Sequence, residues 1–243
     1  MVKWLKRLLG VRHKTAAEII ENLRKKGAHI GEDVRIYSPN NTIIDSTAAY
    51  LLSIGDHVCI TDGVKILTHD FAWSVLKDFV PEGGQPGAIL GCQAPVEIGS
   101  HVFIGMNAVI TCGVKIGDHV IIGAGSVVTK DCESNSVYAG NPARRICSLE
   151  EFYRRRQAKQ LAEARLTARH YRERFGTEPP MEIFKEHFML FCNRETADAN
   201  PVFRSQMAQM GSYDLTAAYM NSHPPMFDGY EAFLMACSEE TET

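Results

Sequence analysis

The sequence predicts a mainly β protein, a parallel β-helix with short N-terminal helices and a C-terminal helical extension, and three observations predict it. Residues 98–133 run as six hexads in one register, each opening with Ile or Val: Ile98, Ile104, Ile110, Ile116, Ile122 and Val128. The fourth place of each hexad holds His101, Asn107, Gly113, His119, Gly125 or Asp131, residue types that enter a left-handed backbone cheaply. The fifth place, from Val102 to Cys132, is small or β-branched. A fixed short period of this kind means stacked identical units.

Each hexad is therefore a short strand plus a corner. Three corners close a triangular coil, with the Ile/Val column pointing inward and neighbouring coils about 4.8 Å apart. A buried helix or an ordinary sheet fits the period poorly, since neither 3.6 nor 2.0 residues per repeat places every Ile or Val six apart.

Taken in order, the chain opens with Trp4, Leu5, Leu8 and Leu9 mixed with Lys3, Lys6 and Arg7. Residues 2–9 could contact an anionic membrane surface, but so short a stretch buries little area, and a short helix docked on the body is the simpler reading. Residues 15–26 read as a helix opened by Thr15, with Glu18 three places on as a capping box. The segment 1–29 thus precedes a coil domain spanning 30–146. The repeat begins at Ile30 and Ile36, lapses through Ser38-Pro-Asn-Asn, and resumes at Ile54, Ile60 and Ile66. It then stops until Ile98, so residues 70–95 form a loop thrown out of the coil. Long loops on rigid scaffolds usually carry function.

Beyond Val128 the period changes. Ser148 with Glu151 reads as a second capping box, and Leu161, Ala164, Ala168, Tyr171 and Phe175 recur at steps of three and four. A long helix over 149–175 follows, stopped by Gly176 and Pro179-Pro180. A second helix is expected over 181–192, and the last fifty residues, with several Pro and Gly, read as ordered but irregular. Together 147–243 form the C-terminal extension.

Composition sets the class. The chain has 243 residues, 45% hydrophobic, with a formal charge of −3, which offers no electrostatic footprint for nucleic acid. Seven cysteines with no Cys-x-x-Cys pair argue against a disulfide framework or a zinc ribbon and for a reducing compartment. No apolar run reaches the length of a membrane span, and the start lacks the apolar core of a secretory signal. The protein is expected to be cytoplasmic.

At this point the chain resembles the hexapeptide-repeat acyltransferases, which fold as left-handed β-helices, and most closely the sugar O-acetyltransferases of the galactoside, maltose and capsular-polysaccharide type. The resemblance rests on the hexads, on Thr-His-Asp at 68–70, on Gly-Ala-Gly-Ser at 123–126 with Val-Thr-Lys at 128–130, and on Ala-Gly-Asn-Pro-Ala at 139–143. It covers about residues 30–146. It implies acetyl transfer from acetyl-CoA to a sugar hydroxyl, with no metal required, by a homotrimer whose sites lie between subunits. Flat triangular sides suit symmetric packing as well.

His69 is the candidate catalytic residue. It holds the same hexad place as His57, His101 and His119, where an imidazole need only tolerate the turn. His69 differs because the repeat breaks right after it. Transfer to a hydroxyl needs a base near working pH, which suits imidazole, and the resemblance puts the family's catalytic His at this Thr-His-Asp. Some backbone N–H must meet the charge on the former thioester oxygen. Asp70 could orient His69 or bind a sugar hydroxyl, with a solvated loop acid as the plain alternative. Trp73 could stack on a sugar ring or merely pack the loop.

For the cofactor, the resemblance points to Met106, Ala124, Thr129 and Lys130 along a groove, with Arg144 placed for phosphate. Taken alone, Gly-Ala-Gly-Ser is more repeat and Lys130 a surface charge; Met106 departs from the smaller polar residue of some relatives. The arginines from Arg144 to Arg174 are interspersed with glutamates and read as a solvated face. Cys92, with no partner visible in the sequence, reads as an idle thiol rather than an acyl carrier.

The expected activity is therefore O-acetylation of a sugar or polysaccharide precursor by direct transfer, with residues 148–243 helping to shape the acceptor side. N-acetylation of an amino sugar and a noncatalytic β-helix scaffold are the alternatives. A zinc anhydrase on this scaffold would need a His-x4-His pair, and none occurs here. A uridylyltransferase would need a nucleotide domain ahead of the coil, where about thirty residues stand.

Overall fold

The hexads wind as a left-handed parallel β-helix in a computed structural model that describes residues 14–238. The basic, apolar segment 2–9 lies outside the described residues. Four coils stack in chain order. The first holds β1 (His29–Ile30), β2 (Arg35–Ile36) and β3 (Ile43–Ile44); the second holds β4 (Leu52–Ile54), β5 (Cys59–Ile60) and β6 (Lys65–Ile66). The third holds β7 (Val96–Ile98), β8 (Phe103–Ile104) and β9 (Val109–Ile110), and the fourth β10 (Lys115–Ile116), β11 (Val120–Ile122) and β12 (Val127–Val128). Two further strands, β13 (Ser136–Ala139) and β14 (Arg144–Ser148), close the end as an antiparallel pair.

The three sides are three parallel sheets, ordered β1-β4-β7-β10, β2-β5-β8-β11-β13-β14 and β3-β6-β9-β12. Register follows from the inward column: Ile54 pairs with Ile98 and Ile98 with Ile116, Ile60 with Ile104 and Ile104 with Ile122, Ile66 with Ile110 and Ile110 with Val128. These side chains are essentially all buried, and together with Val58, Val64, Val102, Ala108, Val114 and Val120 they are the core. A slip of one residue would turn the whole column outward, so the apolar pattern itself locks the register.

The corners carry the predicted backbone. His101, Asn107 and His119 have φ of 57°, 58° and 55°, and Gly113 and Gly125 have 77° and 68°. Close stacking makes glycine obligatory beside some of them. A Cβ on Gly105 would lie 2.5 Å from the Ala124 nitrogen one coil above. Two expectations are corrected. Asp131 does not take the left-handed corner, because the final turn is shorter than the others: Cys132 sits against Ile116, and Ile122 pairs with Tyr138. Asn135, with φ of 57°, makes the corner instead, and the Asp131 carboxylate accepts the Lys115 N–H at 2.8 Å. His69 is likewise not left-handed; it bridges antiparallel to Gln93.

At the other end, helix α1 (Ala16–Lys25) is capped by Thr15 and Glu18 in a reciprocal box, and buries Leu23 against the coil core with Ala16, Ile19 and Ile20 packed beside it. Its amphipathic face closes the open end of the stack, which would otherwise leave apolar surface in water.

The chain divides into two compact units, with the boundary after Phe152 inside the long helix Leu149–Phe175. The Ser148 hydroxyl accepts the Glu151 N–H at 3.1 Å, as its capping position predicts. The second unit departs from expectation. In place of one helix over 181–192 there are two 3-10 turns, Met181–Phe184 and Phe188–Leu190. In place of irregular chain there are four short helices: Arg194–Ala199, Pro201–Met207, Tyr213–Ser222 and Gly229–Ala236. Asn193 and Asn200 cap the first two, with Pro201 entering where no amide donor is needed. Phe184, Phe188, Phe191, Phe203 and Phe233 form the centre of this unit's own core.

Candidate active site

The break after Ile66 positions the site. The coil continues through Leu67, whose N–H reaches the Ile110 carbonyl at 3.0 Å, and then leaves at His69. The returning strand zips against the departing one: Asp70 N–H donates to the Cys92 carbonyl and Ala94 N–H to that of Thr68, each at 3.1 Å. His69 is thus held by backbone on both sides at the root of the loop, and a short helix, Trp73–Leu76, follows.

Asp45 orients the imidazole, not Asp70. Asp45 follows β3 in the first coil, directly beneath this corner, because Ile44 pairs with Ile66. Its Oδ2 lies 2.6 Å from His69 Nδ1. Oδ2 also accepts the Thr68 hydroxyl, and Oδ1 accepts the Thr47 hydroxyl at 2.6 Å and the Thr47 N–H at 2.9 Å. Burial pushes the Asp45 carboxyl up, but the hydrogen bonds from Thr47, Thr68 and His69 outweigh it and hold it well below the usual carboxylate range. An ionised carboxylate can only accept, so His69 donates from Nδ1, and in the neutral ring this leaves the lone pair on Nε2.

Around it lies an open cavity of about 410 Å³, lined by His69, Asp70, Phe71 and Trp73 of the loop start, Gly91, Cys92 and Gln93 of its return, and Thr47, Ala48 and Tyr50 of the coil. The structure therefore brings His69, Asp70 and Trp73 together on one cavity. Phe71 meets the His69 ring edge-on at 5.1 Å and stands 6.2 Å from Trp73, making an aromatic wall. Asp70 spends its Oδ1 on the Ala72 N–H at 3.0 Å, turning the loop.

The five cofactor candidates lie elsewhere, and none lines this cavity. All five are exposed. Met106 and Ala124 sit on successive coils at the corner that opens the β9–β12 side, where the Met106 carbonyl accepts the Gly125 N–H at 2.7 Å. Thr129 and Lys130 lie at the far end of that side, above Thr111 and Cys112 and on the same corner as His69, since Ile66, Ile110 and Val128 are in register. Arg144 opens β14 opposite Ala139.

Sequence reasoning missed Asp45, Thr47, Thr68 and Tyr50. The signal was the register itself: once Ile44 is stacked on Ile66, Asp45-x-Thr47 falls beside Thr68-His69. It also missed a partner for Cys92. Cys92 Sγ lies 3.0 Å from Cys112 Sγ, and with Asp70 the two cysteines place ligand atoms within 4.8 Å of one another, the sort of group that could hold a metal ion.

Residues 95–130 match the family model described as bacterial transferase hexapeptide (six repeats). Protein CapG of Staphylococcus aureus is 44% identical over 132 residues, covering 54% of this chain and 72% of that protein. Nodulation protein L of Rhizobium meliloti (strain 1021) is 42% identical over 118 residues, covering 49% of this chain and 59% of that one. Among solved structures, a maltose O-acetyltransferase from Clostridium difficile 630 is 31% identical with a TM-score of 0.37, covering 60% of this chain and 83% of that one. A galactoside acetyltransferase in complex with coenzyme A is 30% identical with a TM-score of 0.40, covering 60% and 78%.

Proposed function

The chain belongs to the hexapeptide-repeat acyltransferases, and from that premise we propose that it is an acetyl-CoA-dependent O-acetyltransferase acting on a hydroxyl of a sugar or polysaccharide precursor, with His69 as general base. The observation that carries the reading is the His69–Asp45 pair, which leaves Nε2 as the basic atom of a side chain lining a 410 Å³ cavity.

Acetyl-CoA supplies the activated acyl group. His69 Nε2 accepts the proton of the acceptor hydroxyl as its oxygen attacks the thioester carbonyl, and the Asp45 carboxylate stabilises the imidazolium that forms. When the tetrahedral intermediate collapses, His69 returns that proton to the departing thiolate, so the enzyme ends as it began. Trp73 and Phe71 offer apolar faces to a sugar ring and Asp70 a hydroxyl acceptor. Met106, Ala124, Thr129 and Lys130 would hold the cofactor chain and Arg144 its phosphate. The flat triangular sides of the coil suit symmetric packing, and we place the enzyme in a homotrimer. No helix among the described residues is long and apolar enough to cross a membrane. From seven cysteines with no Cys-x-x-Cys pair, the pattern of a reducing compartment, we place the enzyme in the cytoplasm.

The test is coenzyme A release from acetyl-CoA across a panel of sugars, glycosides and amino sugars, with wild type beside His69→Ala. Sugar-dependent turnover that falls at least about a hundredfold in the variant is expected, the usual size of a general-base contribution. Turnover that survives removes His69 as the base; preference for amines makes the enzyme an N-acetyltransferase; failure to bind acetyl-CoA leaves a scaffold.

A further inference from the structure

Two thiols that the proposed chemistry does not use meet at the edge of the cavity. Cys92 stands in the returning end of the loop and is exposed; Cys112 stands on the third coil's corner and is half-buried. Their Sγ atoms are 3.0 Å apart. The other five cysteines, Cys59, Cys132, Cys147, Cys192 and Cys237, are buried, and among the described residues this pair alone combines proximity with access.

We propose that Cys92 and Cys112 are a redox modification site, closing to a reversible intramolecular disulfide that staples the root of the loop to the coil beside His69.

The backbone already holds both cysteines in place. Cys92 gives its carbonyl to Asp70, and its neighbours Gln93 and Ala94 pair with His69 and Thr68. Cys112 lies between Thr111, whose N–H donates to Val128, and Gly113, whose N–H donates to Pro95 at 3.0 Å. Closing from 3.0 Å to a bond of about 2.0 Å brings the two sulfurs roughly 1 Å closer.

The two sulfurs have different parts. Cys92, open to solvent, attacks a low-molecular-weight disulfide as its thiolate, forming a mixed disulfide and releasing one thiolate. Cys112 then loses its proton, its sulfur attacks the Cys92 sulfur, and the second external thiolate leaves. Two protein S–H bonds and one external S–S bond become one protein S–S bond and two external thiols; the protein is oxidised and the reagent reduced. Burial, then the hydrogen bond shared with Cys92, pushes the Cys112 thiol up to about 11, so the first, intermolecular attack falls to solvent-open Cys92, and Cys112 enters only once the mixed disulfide lies against it. Because Cys92 lines the cavity, the bond also fixes one wall of it.

The experiment equilibrates the full chain in buffers of oxidised and reduced glutathione, then identifies peptides by mass spectrometry without reduction. The expected result is a single cross-link joining the Cys92 and Cys112 peptides within one chain, with the loss of two reactive thiols, reversed by dithiothreitol and absent in Cys92→Ser and in Cys112→Ser. Slower backbone hydrogen exchange across residues 70–95 should accompany it, a readout that does not depend on activity. A stable glutathione adduct on Cys92 with Cys112 free would overturn the proposal, as would a link between two chains. Reduced protein that binds one zinc ion per chain and thereby protects both thiols would overturn it in favour of a metal site.

Discussion

His69 Nδ1 lies 2.6 Å from Asp45 Oδ2, although the two residues are 24 positions apart and leave the coil from different turns. One turn of the β-helix converts that separation into direct contact. The pair fixes which nitrogen of the neutral ring is basic, and the Thr47 and Thr68 donors on Asp45 fix the pair. Asp45→Asn should therefore keep the fold, put an N–H where an acceptor was needed, and lower kcat about tenfold to a hundredfold with little change in acceptor KM. Steady-state kinetics on the best acceptor checks this; an unchanged kcat would remove Asp45 from any orienting role.

Trp73 stands in the aromatic wall 6.2 Å from Phe71 and makes none of the bonds that hold His69. Its loss should weaken ground state and transition state alike. Trp73→Ala is expected to raise acceptor KM about twofold to tenfold at nearly constant kcat, the size of one stacking contact. A fall in kcat alone would show that Trp73 serves loop packing near the base instead.

His57, His101 and His119 stack ring on ring, with centroids 4.8 and 4.7 Å apart, and all three have left-handed backbones. Their requirement is conformational. His101→Asn should leave thermal stability nearly unchanged, whereas His101→Val, β-branched at a φ of 57°, should cost about 1–2 kcal/mol. Denaturant titration of the two variants side by side separates the corner from the stack, since both remove the ring.

In the second unit, His187 is buried with its Nδ1 3.1 Å from Gln160 Oε1. Burial pushes the imidazole below its ordinary 6.5, more strongly than nearby Glu163 and Glu186 raise it. The unfolded chain therefore binds the proton first as pH falls. Stability owed to neutral His187 is complete above about pH 6.5 and declines below it, through the lower folded value. Thermal melts of the full chain at about pH 7.5 and about pH 5 should show a loss that shrinks in His187→Asn. An equal loss in both proteins would assign it to other groups.

The coil was legible because its information is local and repeated: each hexad states the same strand and the same left-handed corner, so the side chains of Ile98 to Val128 fix the fold without reference to distant partners. The two failures within it, Asp131 and His69, fall where the coil ends and where it opens, places at which no neighbouring hexad enforces the corner. The short helices after Arg194 were hidden for the opposite reason. Runs of six to ten residues between Asn193, Pro201, Gly211 and Pro224 are too brief to display a period, and the aromatic core around Phe184 and Phe203 folds them instead.

The site divides the same way. The sequence by itself determined the β-helix, the extruded loop and His69 at its root, because a broken repeat is visible one residue at a time. Only the tertiary structure decided that Asp45 is the partner of His69 and Cys112 the partner of Cys92. Those pairs depend on which residue stacks above which once the lapse after Ile36 and the extruded loop have been absorbed, and that register is settled by packing Ile44, Ile66 and Ile110 into one column.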